Sequence, residues 1–153
     1  MIEWRDYKRE RIISRFSKAD WHNIISDIST EKGLIYFLQL DFVRAYVAYN
    51  GENTPVAFAF IIEDVLNKNQ VEVHGGSWSQ SAWCNYEALI TLLERLLAEG
   101  KDVRSQCNIN NRHTLRFLES LGFVNINTSD HYHHFSLSQE RLYNSIIYKR
   151  LHT

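Results

Sequence analysis

Two side chains capable of acid–base chemistry, Glu72 and His74, stand two residues apart in the segment VEVHGG. The segment alternates apolar with polar residues from Val71, which is typical of a β-strand, and Gly75 and Gly76 end or bend it. Side chains two residues apart on a strand share one face. A histidine ordinarily titrates near neutrality, so the pair could take a proton from a nucleophile. The two residues could equally be polar positions on a solvated sheet face.

Other reactive residue types fall in patterns that favour plainer roles. Two histidines of HYHH, which runs from His131 to His134, would share a strand face, but only Asp130 stands nearby as a further ligand. The serine-rich SWSQS lacks a Gly-x-Ser-x-Gly elbow, and Ser79 or Ser81 is better suited to cap a helix. The sequence therefore favours neither a metal centre nor a covalent nucleophile.

Composition narrows the remaining function classes. The 153 residues include 17 basic and 18 acidic side chains, and a net charge of −1 gives no general attraction to nucleic acid or to an anionic membrane.

Cys84 and Cys107 form no CxxC pair and fit small core positions, which suggests a reducing compartment. Trp78 and Trp83 stand at a helix start and are expected in the core or at a partner surface. No apolar run approaches the about 20 residues that a membrane span needs. From the length and the cysteine usage together, we expect one cytoplasmic domain over residues 1–153.

The elements that must position these residues alternate between strand and helix patterns. In the first half of the chain, periodicity predicts a strand around Arg11 to Phe16, a helix opened by Ser17 and Asp20, a hairpin of Arg44 to Tyr49 with Val56 to Ile62, and a strand from Val71 to Gly76. In the second half it predicts a long helix with an apolar stripe from Ala88 to Leu97, a strand from Val103 to Ile109, strands over Phe123 to Asn127 and His131 to Leu137, and a short C-terminal helix from about residue 138. The sum is an α/β domain with a mixed sheet.

The segment NNRHTLRFLESLGF has the features of a capped amphipathic helix. Asn111 can cap its start, and Leu115, Leu118 and Leu121 recur at helical spacing. Gly122 supplies the left-handed exit, as Gly100 does for the long helix before it.

This segment and the stretch QSAWCN resemble two motifs of the GNAT superfamily of N-acetyltransferases. The first is similar to the family's Asn-x-x-Ala-x-x-(Phe/Leu)-Tyr-x-x-x-Gly-Phe run, with Asn111 at the asparagine and the same Gly-Phe end. The second is similar to the (Gln/Arg)-x-x-Gly-x-(Gly/Ala) loop, with Gln80 at its first position. In the family, that loop opens the long helix and directs N–H groups at the coenzyme pyrophosphate.

The resemblance implies a mixed, mostly antiparallel central sheet flanked by helices, with two parallel strands split to admit acetyl-coenzyme A. It implies acetyl transfer to a small-molecule or peptide amine, and it is compatible with a homodimer. Glu72 and His74 are the candidate catalytic bases. The residues expected to contact the coenzyme are Val73, His74, Gly75, Gln80, Ser81, Asn85, Tyr86 and Asn111.

Three positions depart from the family pattern. Trp83 and Asn85 replace small residues that permit close backbone approach to the pyrophosphate. Leu118 stands where family members often have a tyrosine that protonates the leaving thiolate. Two alternatives therefore stay open: a catalytically inactive GNAT-fold ligand-binding or protein-interaction module, and transfer from an acyl-carrier protein.

Overall fold

The computed structural model describes residues 1–7 and 30–153. The strands in this part of the chain are β1 (Glu3–Asp6), β2 (Val43–Tyr49), β3 (Pro55–Glu63), β4 (Gln70–Ser77), β5 (Asp102–Asn108), β6 (Val124–Thr128) and β7 (Tyr132–Leu137). The helices are α1 (Glu31–Leu38), α2 (Ala82–Ala98), α3 (Arg112–Ser120), α4 (Gln139–Tyr143) and α5 (Ile146–Leu151).

The seven strands form one sheet in the order β1-β2-β3-β4-β5-β7-β6. Neighbouring strands run antiparallel except β4 and β5, which run parallel. A parallel pair needs a crossover connection, and α2 supplies it. The predicted mixed, mostly antiparallel sheet flanked by helices is confirmed.

The β2–β3 hairpin forms where the sequence predicts it, and β3 is buried on both faces. Phe58 and Phe60 contact a core that includes Leu34 and Phe37 of α1. Ile61 belongs to the core on the opposite face of the sheet. Apolar residues on both faces are expected of a strand covered by helices on each side.

The second core lies between the sheet and the helices α2 and α3. It combines the predicted stripes of both helices with the inner faces of the central strands, and its members include Ile90, Leu92, Leu93, Leu118, Leu121 and Phe135. Cys107 is buried in this core, and its burial raises the pKa of the thiol. Cys84 is only half buried and packs against a smaller core cluster that includes Ala88, so the expected core position is met fully by Cys107 and in part by Cys84.

The ends of α2 and α3 follow the predicted capping. Ser81 Oγ accepts a hydrogen bond from Cys84 N–H at 3.3 Å, and Asn111 Oδ1 accepts one from Thr114 N–H at 3.0 Å. Gly100 and Gly122 then leave the helices with φ of 79° and 96°. These are left-handed conformations that favour glycine.

The C-terminal segment contains two short helices where one was predicted. Asn144 ends α4, with its side-chain amide bonded to Glu140 O at 3.0 Å. Ser145 then caps α5 by accepting from Tyr148 N–H at 3.2 Å. Residues that bond locally to the backbone favour helix ends over helix interiors, so the Asn-Ser pair divides the segment.

The N-terminal residues include a strand that the sequence does not predict. The strand predicted around Arg11 to Phe16 and the helix predicted to open at Ser17 lie outside the described residues. Strand β1 was not predicted, because its sequence EWRD carries three charged residues. It pairs with β2, and Trp4 Nε1 donates to Ala88 O at 2.7 Å. Of the helices in residues 1–7 and 30–153, none is long and apolar enough to cross a membrane.

Candidate active site

The parallel strands β4 and β5 pair only at their beginnings. The register joins Gln70 to Asp102, Val71 to Val103 and Glu72 to Arg104. Beyond Glu72, β4 stays paired with β3 as far as Ser77, while β5 stays paired with β7 as far as Asn108. Among the described residues, the far half of β4 has no strand partner on the β5 side. We call this opening the β4–β5 split.

One hydrogen bond crosses the β4–β5 split. Ser105 Oγ donates to Val73 O at 3.2 Å, so the Val73 carbonyl points into the split. Alternate residues of a strand direct their backbone groups to the same neighbour, so the Gly75 backbone also faces the split. By the same alternation the His74 backbone faces β3, opposite Phe60. Of the three predicted backbone contacts, Val73 and Gly75 are therefore the ones placed to line it.

Glu72 and His74 share a face of β4, as predicted, and they contact each other. His74 Nε2 lies 3.2 Å from Glu72 Oε1, and the side chains are 12% and 35% exposed, respectively. Their cross-strand partners are Phe60 and Ile62, so the pair lies on the α1 side of the sheet. Glu72 is the last β4 residue paired to β5, and His74 is the first on that face beyond it. The pair therefore lies where the two strands separate and the β4–β5 split begins.

The electrostatics of this pair keep the carboxylate ionised. The hydrogen bond from His74 lowers the pKa of Glu72; burial opposes that effect, and the charges of His74 and His134 reinforce it. A carboxylate that accepts from Nε2 fixes the imidazole tautomer and leaves Nδ1 as the proton acceptor. The arrangement can accept a proton at His74 and stabilise the resulting imidazolium through Glu72.

The loop between β4 and α2 is held by its own hydrogen bonds. The Asn85 side chain accepts from the Ser77 hydroxyl and donates through Nδ2 to Ser79 O at 3.3 Å. Ser79 N–H in turn donates to Ser77 Oγ at 3.0 Å. The side-chain amide of Asn85, which was predicted to contact the coenzyme, joins the two ends of this loop.

A few N–H groups at the start of α2 stay available. Ser81 N–H donates to Ser79 Oγ at 3.1 Å, and Cys84 N–H donates to the Ser81 hydroxyl. Within residues 1–7 and 30–153, the N–H groups of Gln80, Ala82 and Trp83 have no protein acceptor. First-turn N–H groups without intrahelical acceptors attract anions, so an anionic group fits here.

Aromatic side chains connect the first turns of α2 to α3. Tyr86 stacks on Phe117 with ring centroids 5.5 Å apart, and Trp83 contacts Tyr86 edge-on at 6.1 Å. Trp83 was expected either in the core or at a partner surface. It is 53% exposed, so it does not lie in the core. Trp78 does, because its ring lies 5.0 Å from that of Phe58.

No hydroxyl stands at the position of the family tyrosine. Leu118 is buried in the core beneath α2 and α3, where it can donate no proton. The Tyr143 hydroxyl, one of the other candidate acids, accepts from Gln139 Nε2 at 3.0 Å in α4.

The sequence predicted that Ser105 lies in a strand but did not predict its contact across the split, because that contact depends on the strand register.

The histidine run does not assemble a metal site. His131 precedes β7, while His133 Nδ1 lies 3.0 Å from Thr128 Oγ1 and 3.2 Å from Asn125 Nδ2. In the part of the chain that the structure describes, no three His, Cys, Asp or Glu side chains are grouped to hold a metal ion.

Similarity to known proteins is found in structure and not in sequence. No protein-family model matches the chain, and no curated protein matches it. The spermidine N-acetyltransferase SpeG of Vibrio cholerae, in complex with CoA and spermine, superposes with a TM-score of 0.69 at 14% identity, covering 94% of this chain and 98% of that one. A dodecameric form of SpeG gives 0.67 at 11% identity, covering 94% and 96%.

A second enzyme gives the same result. The N-acetyltransferase PseH of Campylobacter jejuni, in complex with acetyl coenzyme A, superposes with a TM-score of 0.64 at 11% identity, covering 91% of this chain and 99% of that one. Both are GNAT-fold proteins. Their similarity at such low identity, together with the split parallel strands, establishes that this chain has the GNAT fold.

Proposed function

We propose that this chain is an N-acetyltransferase that transfers the acetyl group of acetyl-CoA to an amine. The observation that carries the proposal is the β4–β5 split, which opens after the pair Glu72–Arg104 and exposes backbone groups of β4. Ligands of open α/β sheets bind outside the carboxyl ends of the strands, and the split lies there. The solved complexes of SpeG with CoA and of PseH with acetyl coenzyme A support the choice of donor.

The residues present fit an acyl-CoA thioester. The Gly75 backbone, and the Val73 carbonyl through the lone pair that Ser105 does not use, offer hydrogen bonds to an extended amide-bearing arm lying in the split. The N–H groups of Gln80, Ala82 and Trp83 fit the pyrophosphate. The predicted contacts Ser81, Asn85, Tyr86 and Asn111 act mainly by shaping the first turns of α2 and α3.

The Glu72–His74 pair supplies the base in this proposal. The amine nitrogen attacks the thioester carbon, an N–C bond forms, and the C–S bond breaks. His74 Nδ1 accepts the proton that the nitrogen loses, while Glu72 holds the ring in position. Because a thiol has a modest pKa, the thiolate can leave without an enzymic acid and then take a proton from water. A leucine at position 118 is compatible with this route.

The acceptor is proposed to be a small-molecule or peptide amine reaching the thioester from the α1 side of the sheet, where Glu72 and His74 lie. SpeG acts on spermidine and forms a dodecamer, which supports the amine class and an assembly of several copies. The two free cysteines favour the cytoplasm as the site of action.

A catalytically silent ligand-binding module is the second candidate function. Two observations favour it: the buried Leu118 provides no acid, and Asn85 is occupied within its own loop. A silent module would bind acetyl-CoA or a related ligand without acceptor-dependent turnover.

Turnover separates the two candidates. The protein is incubated with acetyl-CoA and a panel of amines that includes spermidine and N-terminal peptides. Free CoA thiol is followed colorimetrically, and acetylated products are followed by mass spectrometry. The proposal predicts thiol release that depends on an acceptor and is accompanied by a product heavier by one acetyl group. Donor binding without release above the uncatalysed rate for any amine would support the silent module.

A further inference from the structure

The indole of Trp83 is not used by the proposed chemistry. It is the second residue of α2, and it is 53% exposed although tryptophan is among the most apolar side chains. An aromatic side chain with one open face is a natural contact for a flat ligand group.

The indole is supported on one side by a neighbouring ring. Its contact with Tyr86 is edge-on, with an interplanar angle of 69°, and Tyr86 lies nearly parallel to Phe117 at 22°. The three rings therefore run from α2 across to α3. Side chains anchored in this way lose little conformational freedom when a ligand binds.

The position of the rings is set by the two parallel strands. Helix α2 follows β4, helix α3 follows β5, and the β4–β5 split lies between those strands. A ligand arm that leaves the split at the carboxyl ends of the strands passes the first turns of both helices. Trp83 lies in the first turn of α2, and through Tyr86 it is joined to Phe117 of α3.

The loop between β4 and α2 carries no charge. No charged residue occurs between Gly75 and Tyr86. The loop itself therefore offers a coenzyme only backbone dipoles, and a contact for the nucleotide end must come from other side chains near the starts of the two helices, which include Arg112 and Arg116 of α3 as well as Trp83. Stacking of a nucleobase on an aromatic side chain provides such a contact without charge.

We propose that Trp83 stacks on the adenine ring of the acyl-CoA donor and makes the protein select the nucleotide-bearing form of the thioester. The inference rests on the proposed function, because it assumes a donor arm in the β4–β5 split. Trp83 then acts as a specificity-determining residue at the position where the resembling family motif has a small residue.

The test compares two donors that differ only in the nucleotide end. Acetyl-CoA and S-acetylpantetheine are titrated by calorimetry into wild-type protein and into Trp83→Ala, Trp83→Phe and Leu66→Ala. Leu66 is a matched control for removing an exposed apolar side chain, because it is 97% exposed in the turn before β4, away from the split. Thermal unfolding of each variant verifies that its fold is intact.

We expect Trp83→Ala to weaken acetyl-CoA binding about tenfold, equivalent to about 1.4 kcal/mol. The affinity for S-acetylpantetheine stays unchanged, and Trp83→Phe and Leu66→Ala bind acetyl-CoA almost as the wild type does. Acetyl-CoA also quenches tryptophan fluorescence in the wild type, and this quenching disappears in Trp83→Phe even though the donor still binds.

Two results would overturn the inference while leaving the proposed function standing. One is an unchanged acetyl-CoA affinity in Trp83→Ala. The other is an equal loss for both donors, which would give the indole a role that does not involve the nucleotide. A wild-type protein that binds neither donor would instead overturn the proposed function, and the inference with it.

Discussion

The Glu72–His74 contact determines which of the two residues can take a proton. Glu72 has a lowered pKa and stays charged, so it is a weak base, while His74 has its Nε2 occupied at 3.2 Å and its Nδ1 left to accept. Because a carboxylate can orient an imidazole in this way, the proposed reaction uses His74 as the proton acceptor and Glu72 as the residue that positions it.

Replacing His74 with Gln is expected to lower kcat by about 100-fold, because the amide keeps a hydrogen bond to Glu72 but is not basic. Glu72→Gln should give a smaller decrease in kcat, and both variants should keep the KM for acetyl-CoA. Steady-state kinetics with the best acceptor measures these constants. Glu63→Gln is the matched control, since Glu63 pairs with Arg44 at 3.3 Å outside the site. Equal turnover of His74→Gln and wild type would remove His74 as the base.

The lowered pKa of Glu72 also predicts how stability depends on pH. Its ordinary value is 4.5, and the folded value lies lower. The stabilisation is therefore present above pH 4.5 and is lost as the pH falls through the folded pKa. The difference in free energy of unfolding between wild type and Glu72→Gln should be larger at pH 7 than at pH 3. Urea unfolding at both pH values measures it, and a constant difference would show that the hydrogen bond between His74 and Glu72 contributes nothing.

At the level of single residues, the sequence predicted what local spacing controls. The alternation of VEVHGG was enough to place Glu72 and His74 on one face. Spacing could not predict that Ser105 reaches Val73, or that Asn85 turns to Ser77, because those contacts depend on strand register and loop closure.

Among the structural elements, α3 is fixed at its two ends by Asn111 and Gly122. Gly122 has φ of 96°, and a Cβ at this position would collide with the carbonyl group of Arg141 in α4. Glycine is therefore required both by the left-handed backbone and by the close approach of α4.

Gly122→Ala is expected to lower the free energy of unfolding by about 2–4 kcal/mol, because backbone strain and a steric clash add together. Chemical denaturation measures the change. Gly51→Ala tests the same substitution in a turn where a Cβ would meet no atom within 4 Å, and it should stay within about 0.5 kcal/mol of wild type. Similar losses in the two variants would contradict the steric account.

Periodicity and capping predicted α2, α3 and the β2–β3 hairpin, because each of these elements is encoded within a short stretch. Strand β1 was not predicted, because EWRD has no alternation of apolar and polar residues. It forms a strand by pairing with β2. The division between α4 and α5 was missed because a residue such as Asn144 can be tolerated inside a helix or can end one.

For the molecule as a whole, the decisive feature is the β4–β5 split. It exists because β4 is held by β3 and β5 by β7, while α2 and α3 pack against one face of the sheet. Such a feature arises from pairings between distant segments, so the sequence could suggest it only through resemblance. The proposed function uses the split as the place for an extended ligand, which a closed sheet would lack.

A ligand held by the folded protein raises its thermal stability by mass action. Titration of acetyl-CoA by calorimetry, supported by a thermal-shift measurement, therefore tests the central claim most directly. We predict a dissociation constant on the order of micromolar, about −8 kcal/mol of binding free energy, with a rise in melting temperature that grows with ligand concentration. The absence of both heat and thermal shift up to millimolar acetyl-CoA would contradict the claim that the split binds this donor.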